Sequence, residues 1–195
     1  MPETGTALLV MDVQRAIVDR VGGSPELLDR LAAAIVAARA AAVRVIYVQI
    51  GFRPGHPEVS PRNRSFAALS GSGAFVADDP ANAIHPAVAP QPGDLVVTKR
   101  RVSAFAGSDL DVVLRAGGID RLVLTGIATG GVVLSTLRAA ADLDFGLTVL
   151  ADGCADADPE VHRVLLEKVF PRQAEVVALD GWRGGLEASA RRANS

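Results

Sequence analysis

The sequence predicts an α/β fold in which a six-stranded parallel sheet lies between two layers of helices. Short, continuous apolar runs rich in Val, Leu and Ile are typical of strands that are buried on both faces. These runs alternate with helical segments, several of which begin with an N-cap signal. No repeat or linker interrupts the alternation, so the 195 residues are predicted to form one three-layer α/β/α domain, 1–195.

The first part of the chain predicts two strands and one helix. Residues 7–11 form an apolar run that ends at Asp12, and we interpret this run as the first strand. Ser24, which is followed by a proline, has the character of an N-cap, so a helix is predicted over 25–42. The β-branched run 43–50 predicts the second strand.

A long segment without clear periodicity follows over residues 51–93. It contains most of the prolines of the chain and only a weak helical signal at 66–69. A loop of this length inside a compact domain is usually functional, as a lid, a binding loop or a contact between subunits.

The second half of the chain repeats the alternation of strand and helix. Four further strands are predicted over 95–98, 122–124, 147–150 and 176–179. Helices are predicted over 109–116, capped by Ser108, over 132–142, and from Asp158 to about Val169. The tail beyond Asp180 is predicted to be either a frayed helix or an arm.

Composition and charge exclude several classes of function. The net charge of −2 gives no reason to expect binding to nucleic acid or to a membrane surface. No apolar run approaches the roughly 18 residues that a membrane span needs, and the N-terminus lacks the layout of a signal peptide. The single cysteine, Cys154, rules out an internal disulfide and fits a reducing compartment. A cytoplasmic globular protein is therefore expected.

Three features are predicted to meet at one edge of the sheet, because ligands bind beyond the carboxyl ends of parallel strands. Asp12 follows the first strand, Lys99 follows the third, and a Gly-rich turn at 125–131 follows the fourth. A half-buried carboxylate beside an ammonium group is a usual way to hold a general acid or base, since burial raises the pKa of Asp12 and Lys99 lowers it. In the alternative interpretation, Asp12 caps a turn and Lys99 is a solvated charge at the rim.

Other polar residues near this edge are weaker candidates. Arg53 and the run that includes Arg100 and Arg101 are candidates for binding a substrate carboxylate. Surface charge is the favoured interpretation of Arg100 and Arg101, because adjacent residues of an extended chain point apart. The three histidines show no ligand spacing, so no metal or other cofactor is expected. Cys154 is interpreted as a small buried thiol, since no histidine lies near it in the sequence.

Three stretches together resemble the isochorismatase-like hydrolases, also called the cysteine hydrolase superfamily. They are LLVMDVQ at 8–14, VVTKRRVSAF at 96–105 and TGIATGGVVLSTLRAAADLDFGLTVLADGCAD at 125–156. The joint pattern of an Asp after strand one, a Lys after strand three and a G-I-A-T turn after strand four is specific. The resemblance covers about residues 7–179 and implies a Rossmann-like hydrolase domain that acts on a small molecule.

The resemblance also implies a mechanism. In the amidases of this family the triad is Asp, Lys and Cys, and Asp12 and Lys99 match the first two. Val132 occupies the position of the cysteine and has no nucleophilic group. True isochorismatases also lack the cysteine and hydrolyse a vinyl ether, with the Asp as the acid that protonates the enol carbon. The resemblance therefore implies a Cys-independent hydrolase with Asp12 as general acid/base and Lys99 as its partner.

Two alternatives remain open at this point. The missing nucleophile also fits a non-catalytic small-molecule binding protein on a hydrolase scaffold. A third interpretation makes Cys154 the nucleophile.

Further site residues follow from the same resemblance. It implies a cis peptide between Ile127 and Ala128, which turns the Ala128 N–H toward the pocket beside the Val132 N–H to form an oxyanion hole. The metal-binding pattern of nicotinamidases is missing at 51–53. Family members are usually oligomers, so we expect a homodimer or homotetramer with a contact in 51–93. Substrate contacts are expected from Gln14, Phe52, Arg53, Phe105, Thr129 and Gly130.

Overall fold

The computed structural model describes residues 5–193 except 22, 70 and 78, and its centre is a six-stranded sheet. Every neighbouring pair of strands is parallel, and the order across the sheet is β3-β2-β1-β4-β5-β6. The predicted parallel sheet is therefore confirmed. The strands are β1 Thr6–Met11, β2 Arg44–Ile50, β3 Leu95–Lys99, β4 Arg121–Ile127, β5 Gly146–Ala155 and β6 Glu175–Val177.

Six α-helices are present in the described residues, and two of them begin as the sequence predicts. They are α1 Arg15–Val21, α2 Pro25–Ala40, α3 Leu110–Ala116, α4 Leu134–Asp142, α5 Pro159–Val164 and α6 Leu179–Ala193. Ser24 caps α2 by accepting a hydrogen bond from the Leu27 N–H at 3.3 Å. Asp158 caps α5 in the same way, through the N–H groups of Glu160 and Val161. None of these helices has the length and apolar character needed to cross a membrane.

Strand β1 lies between two separate apolar cores. Ala7, Leu9 and Met11 belong to the core that includes buried residues of α3 and α4. Leu8 and Val10 belong to the core that includes buried residues of α2 and α6. Because successive side chains of a strand point to opposite faces, this alternation shows that helices cover both faces of the sheet.

The ends of β1 and β4 approach each other closely, and this contact positions the residues that follow both strands. Gly126 pairs with Met11 and has a φ of +133°, and a Cβ atom at Gly126 would lie 2.1 Å from the Met11 carbonyl oxygen. Only glycine fits such a backbone and such a gap. The neighbouring Thr125 hydroxyl donates to the Leu9 carbonyl at 2.8 Å. The turn after β4 is thereby held beside Asp12.

The structure differs from the predicted elements in several places. Helix α1 was not predicted, because Val18 is its only buried residue and no apolar period marks it. Strand β5 continues to Ala155 instead of ending at 150, with a register shift against β4. An irregular π-helical turn, Thr129–Val133, precedes α4. Of the two alternatives predicted for the tail, a helix or an arm, the structure has the helix, α6.

The long loop 51–93 packs around a small apolar cluster of its own. Phe52, Phe66 and Phe75 are buried in this cluster together with Ile50 from the end of β2. Helical structure among the described residues of the loop is limited to three short 3₁₀ turns, Ala67–Leu69, Pro80–Asn82 and Pro86–Val88.

Candidate functional site

Asp12 and Lys99 form a buried ion pair at the carboxyl edge of the sheet. Asp12 lies one residue beyond β1, and Lys99 is the last residue of β3. Lys99 Nζ is 2.9 Å from Asp12 Oδ2, and the two side chains are only 1% and 9% exposed. Since β2 lies between β1 and β3, the Lys99 side chain reaches across the end of β2. The structure thus brings the two predicted residues together, and Lys99 is not a solvated rim charge.

Backbone contacts fix both members of the pair. Asp12 has a φ of +55°, and its N–H donates to the Val48 carbonyl at 2.8 Å. Lys99 Nζ also donates to the Arg101 carbonyl at 2.9 Å. Asp12 Oδ1 is buried and has no hydrogen-bond partner among the described residues. One carboxylate oxygen therefore binds the lysine, while the other makes no hydrogen bond to the described residues.

The surroundings of Asp12 tune its proton affinity. Burial raises the pKa of Asp12 to about 6, and the charge and hydrogen bond of Lys99 oppose part of that rise. A carboxyl group with such a pKa populates both protonation states near neutral pH. That property suits a group that must give up and take back a proton in each cycle.

The turn after β4 contains Val132, the residue that the resemblance aligns with the cysteine of the family's amidases. The Ile127–Ala128 peptide bond is cis, as the resemblance implies. Gly131 departs from helical geometry, with φ −102° and ψ −106°. Val132 is 2% exposed and belongs to the core that includes α3 and α4. Val132, which the resemblance places at the cysteine position, is therefore an apolar core residue.

Thr129 and Gly130, both predicted to contact substrate, have their polar groups engaged by residues near α5. Thr129 is fully buried, and its Oγ1 lies 2.8 Å from His162 Nδ1. The Gly130 N–H donates to Asp156 Oδ2 at 2.6 Å. Neither Asp156 nor His162 was predicted as a site residue, because only the fold brings the residues after β5 against the turn after β4.

Gln14 and Phe52 support the site by packing and by hydrogen bonds. Gln14 is fully buried. Its Nε2 donates to the carbonyl of Ile50 at 3.0 Å and to that of Asn82 at 2.7 Å. Its Oε1 accepts a hydrogen bond from the Ile50 N–H at 2.8 Å. Gln14 thereby joins the end of β2 to the long loop. Phe52 is also fully buried and packs edge-on against Phe66, with 5.7 Å between the ring centroids.

Three arginines converge on Glu58 in the long loop. Arg53, whose side chain is 69% exposed, donates to the Glu58 carboxylate at 2.7 Å. Arg100 Nε lies 3.4 Å from the same carboxylate, and Arg101 donates to the Glu58 carbonyl at 2.9 Å. The interpretation of Arg100 and Arg101 as plain surface charge is therefore wrong. The chain turns at the end of β3, so the two side chains both reach the loop instead of pointing apart.

The two remaining candidates lie against the apolar core. Phe105 is half-buried, and its ring centroid is 6.0 Å from that of Phe145. Cys154 is buried with its Sγ 4.0 Å from the Leu124 carbonyl, and burial raises the pKa of its thiol to about 12. Such a thiol is not a nucleophile at neutral pH. Among the described residues, no group of three or more His, Cys, Asp or Glu side chains is arranged to hold a metal ion.

Comparison with known proteins identifies the family of this chain. The sequence matches the isochorismatase domain over residues 6–180. The chain belongs to the isochorismatase family. Its relatives include the ureidoacrylate amidohydrolase RutB of Stutzerimonas stutzeri, which is 35% identical over 96% of this chain and 82% of that protein. The isochorismatase family protein YwoC of Bacillus subtilis, which is uncharacterized, is 34% identical over 86% of both chains.

Solved structures of isochorismatase-family proteins have the same three-layer fold. An isochorismatase family protein from Burkholderia thailandensis superposes with a TM-score of 0.80 at 30% identity, over 95% of this chain and 97% of that one. A cysteine hydrolase from Pseudomonas syringae gives a TM-score of 0.86 over 96% of both chains, and at 24% identity it is similar in fold alone. These findings support a hydrolase.

Proposed function

We propose that this isochorismatase-family protein hydrolyses a small molecule without a nucleophilic cysteine, with Asp12 as general acid/base and Lys99 as its partner. The observation that carries the proposal is the buried Asp12–Lys99 pair, in which Oδ1 of Asp12 has no partner among the described residues. Val132 stands at the cysteine position, so covalent chemistry has no thiol there. Hydrolysis of an enol ether is the reaction type that these residues fit best.

In this reaction the neutral carboxyl group of Asp12 is the acid. Its proton lies on Oδ1, because Oδ2 faces the Lys99 ammonium group. Asp12 transfers this proton to the terminal enol carbon, and the substrate becomes an oxocarbenium ion. Water adds to the cation and returns a proton to Asp12. The hemiketal that results then separates into a carbonyl compound and an alcohol, while Lys99 stabilises the transient carboxylate.

The turn after β4 supplies hydrogen-bond donors in the same proposal. The N–H groups of Ala128 and Val132 are assigned to a substrate oxygen on which negative charge resides or develops. Phe52 and Phe105 are assigned to the shape of the pocket. Arg53 has a largely exposed side chain and is assigned to a substrate carboxylate.

The direct test replaces the acid. Rates of hydrolysis of isochorismate, related enol ethers and ureidoacrylate are measured for the wild type, for Asp12→Asn and for Asp142→Asn, which changes an exposed aspartate at the end of α4. Loss of a positioned general acid is expected to lower the rate about 10²–10⁴-fold in Asp12→Asn. The control should match the wild type. Equal rates for wild type and Asp12→Asn would exclude Asp12 from the reaction.

A second candidate function is non-catalytic binding of a small molecule, and the apolar Val132 favours it. It predicts saturable binding of isochorismate or ureidoacrylate, measured by calorimetry, with no turnover of any compound in the panel. Turnover that depends on Asp12 would eliminate this candidate.

The third interpretation, with Cys154 as nucleophile, is tested by Cys154→Ala. The pKa of about 12 and the burial of the thiol predict that turnover stays within about twofold of the wild type. Removal of the buried sulfur should lower the free energy of unfolding by about 1 kcal/mol. A folded variant that has lost nearly all turnover would instead identify Cys154 as a reacting group.

A further inference from the structure

We infer that Asp156 and His162 clamp the turn after β4 and are positioning residues for the reaction. The clamp consists of these two residues and their contacts with Gly130 and Thr129. Its catalytic consequence rests on the proposed function of the turn as a source of backbone donors. Asp12 follows β1 and pairs with Lys99 at the end of β3, whereas the clamp joins residues that follow β4 and β5. The clamp therefore acts through the turn and not on the acid.

The first contact joins two backbone segments through one carboxylate. Asp156 Oδ2 accepts from the Gly130 N–H at 2.6 Å, and Asp156 Oδ1 accepts from the Asp158 N–H at 3.2 Å. Asp158 is the N-cap of α5. Hydrogen bonds to a carboxylate are charge-assisted and are stronger than neutral ones. The start of α5 and the turn are therefore held at a fixed separation.

The second contact ties the adjacent residue to the body of α5. Thr129 is fully buried, so its hydroxyl needs a partner within the protein. His162 supplies that partner, with Nδ1 2.8 Å from Thr129 Oγ1. Two successive residues of the turn are thus anchored by two different side chains.

The packing between α5 and the turn leaves little room for movement. A Cβ atom at Gly130 would lie 3.0 Å from Val161 Cγ1 and 3.1 Å from Asp156 Oδ2. Val161 precedes His162 on α5, so the helix packs closely against the turn at the place where the two hydrogen bonds form. A displacement of α5 must therefore displace the turn.

This arrangement matters for catalysis because hydrogen-bond donors act only when they are accurately placed. The anchored residues, Thr129 and Gly130, lie between Ala128 and Val132, whose N–H groups are the proposed donors. A misplacement of about 1 Å is enough to lower a rate about 10²-fold. Asp156 and His162 are suited to prevent such a misplacement without touching substrate.

The kinetic test compares removal of each anchor with conservative replacement. Asp156→Ala and His162→Ala are each expected to lower kcat for isochorismate about 10–100-fold, with KM changed less than about threefold. His162→Asn should recover most of kcat, because the asparagine amide can occupy the position of Nδ1. Glu167→Ala, which removes only the exposed pair with Arg163 one turn further along, is the matched control and should match the wild type.

Amide hydrogen exchange tests the clamp without reference to activity. In Asp156→Ala, exchange at Gly130 is expected to be at least about tenfold faster, while exchange in the buried strand β4 is unchanged. Unchanged exchange at Gly130 would overturn the clamp. Full kcat in both alanine variants, with Asp12→Asn inactive, would overturn its positioning role and leave the proposed function intact. If the wild type hydrolyses nothing in the panel, the proposed function fails, and exchange at Gly130 decides the clamp.

Discussion

At the level of single residues, the site depends on a balance between burial and charge at Asp12. Burial favours the neutral acid, and Lys99 favours the carboxylate. Burial has the larger effect, so the pKa of Asp12 lies at about 6 instead of near 4. The carboxyl group of Asp12 can therefore release and regain a proton near neutral pH, even though it is paired with Lys99.

Replacement of Lys99 by Met tests this balance. Without the ammonium group, the pKa of Asp12 in the folded state should rise further above its unfolded value. A raised folded-state pKa gives stability that is present below the unfolded value and is lost as pH rises through the folded value. The loss of stability relative to the wild type should therefore be small at pH 5 and reach about 3–5 kcal/mol at pH 8. Urea unfolding at both pH values measures the difference in the free energy of unfolding between the variant and the wild type. An equal loss at pH 5 and pH 8 would show that Lys99 does not lower the pKa of Asp12.

The pair Asp12 and Lys99 was predictable from sequence, whereas its supporting residues were not. Each member directly follows or ends an apolar strand, and the carboxyl ends of parallel strands meet at one edge. No comparable sequence signal identifies Asp156, His162 and Asn82, because none of them directly follows or ends an apolar strand in the predicted sheet. They lie in loops and on a helix flank, and only tertiary contacts bring them to the turn and to Gln14.

At the level of elements, β4 determines where the site forms. Its last residues combine the gap that admits only Gly126, the buried Thr125 hydrogen bond and the cis peptide at 127–128. The sequence predicted the strand only over 122–124, because residues 125–127 have the small, mixed composition of a turn. Pairing with β1 keeps them in the sheet.

Gly126→Ala tests the close approach of β4 to β1. A methyl group 2.1 Å from the Met11 carbonyl oxygen, on a backbone with φ of +133°, cannot be accommodated without movement of a strand. The free energy of unfolding should fall by at least about 3 kcal/mol. Gly184→Ala in α6 is the matched control, since nothing lies within 4 Å of its Cβ position, and it should stabilise by up to about 1 kcal/mol. Similar changes in the free energy of unfolding of the two variants would contradict the close approach of β4 to β1 at Gly126.

Helix boundaries were predictable where a cap marks them and were missed where no such signal exists. Ser24 and Asp158 identified the starts of α2 and α5. Helix α1 lacks an acidic first turn and a continuous apolar face, and α6 contains three glycines, which lower helix propensity. Packing against the rest of the protein, which local sequence does not report, stabilises both.

At the level of the whole molecule, the long loop 51–93 is fastened to the sheet edge that holds the site. Gln14 joins Asn82 to the end of β2, and Glu58 contacts Arg100 and Arg101 beyond β3. Arg101 in turn accepts a hydrogen bond from Lys99 through its carbonyl. The loop is therefore linked to the Asp12–Lys99 pair by a short chain of contacts, and we expect changes in the loop to alter the position of Lys99.

The oligomeric state is a prediction at this scale. The resemblance to a family of oligomers and the length of the loop 51–93 lead us to expect a dimer or a tetramer, with a subunit contact in that loop. Light scattering on the purified protein measures the mass directly. A mass of two or four chains is expected, and the mass of a single chain across a wide concentration range would contradict the prediction.

The central claim is that Asp12 acts as an acid with a pKa of about 6. The most direct test is the pH dependence of kcat/KM for isochorismate, corrected for the uncatalysed rate and measured from pH 5 to 8. Because the protonated form is the active one, kcat/KM should be constant below pH 6 and fall about tenfold per pH unit above it. A rate that rises through pH 6, or that does not change over this range, would contradict the claim.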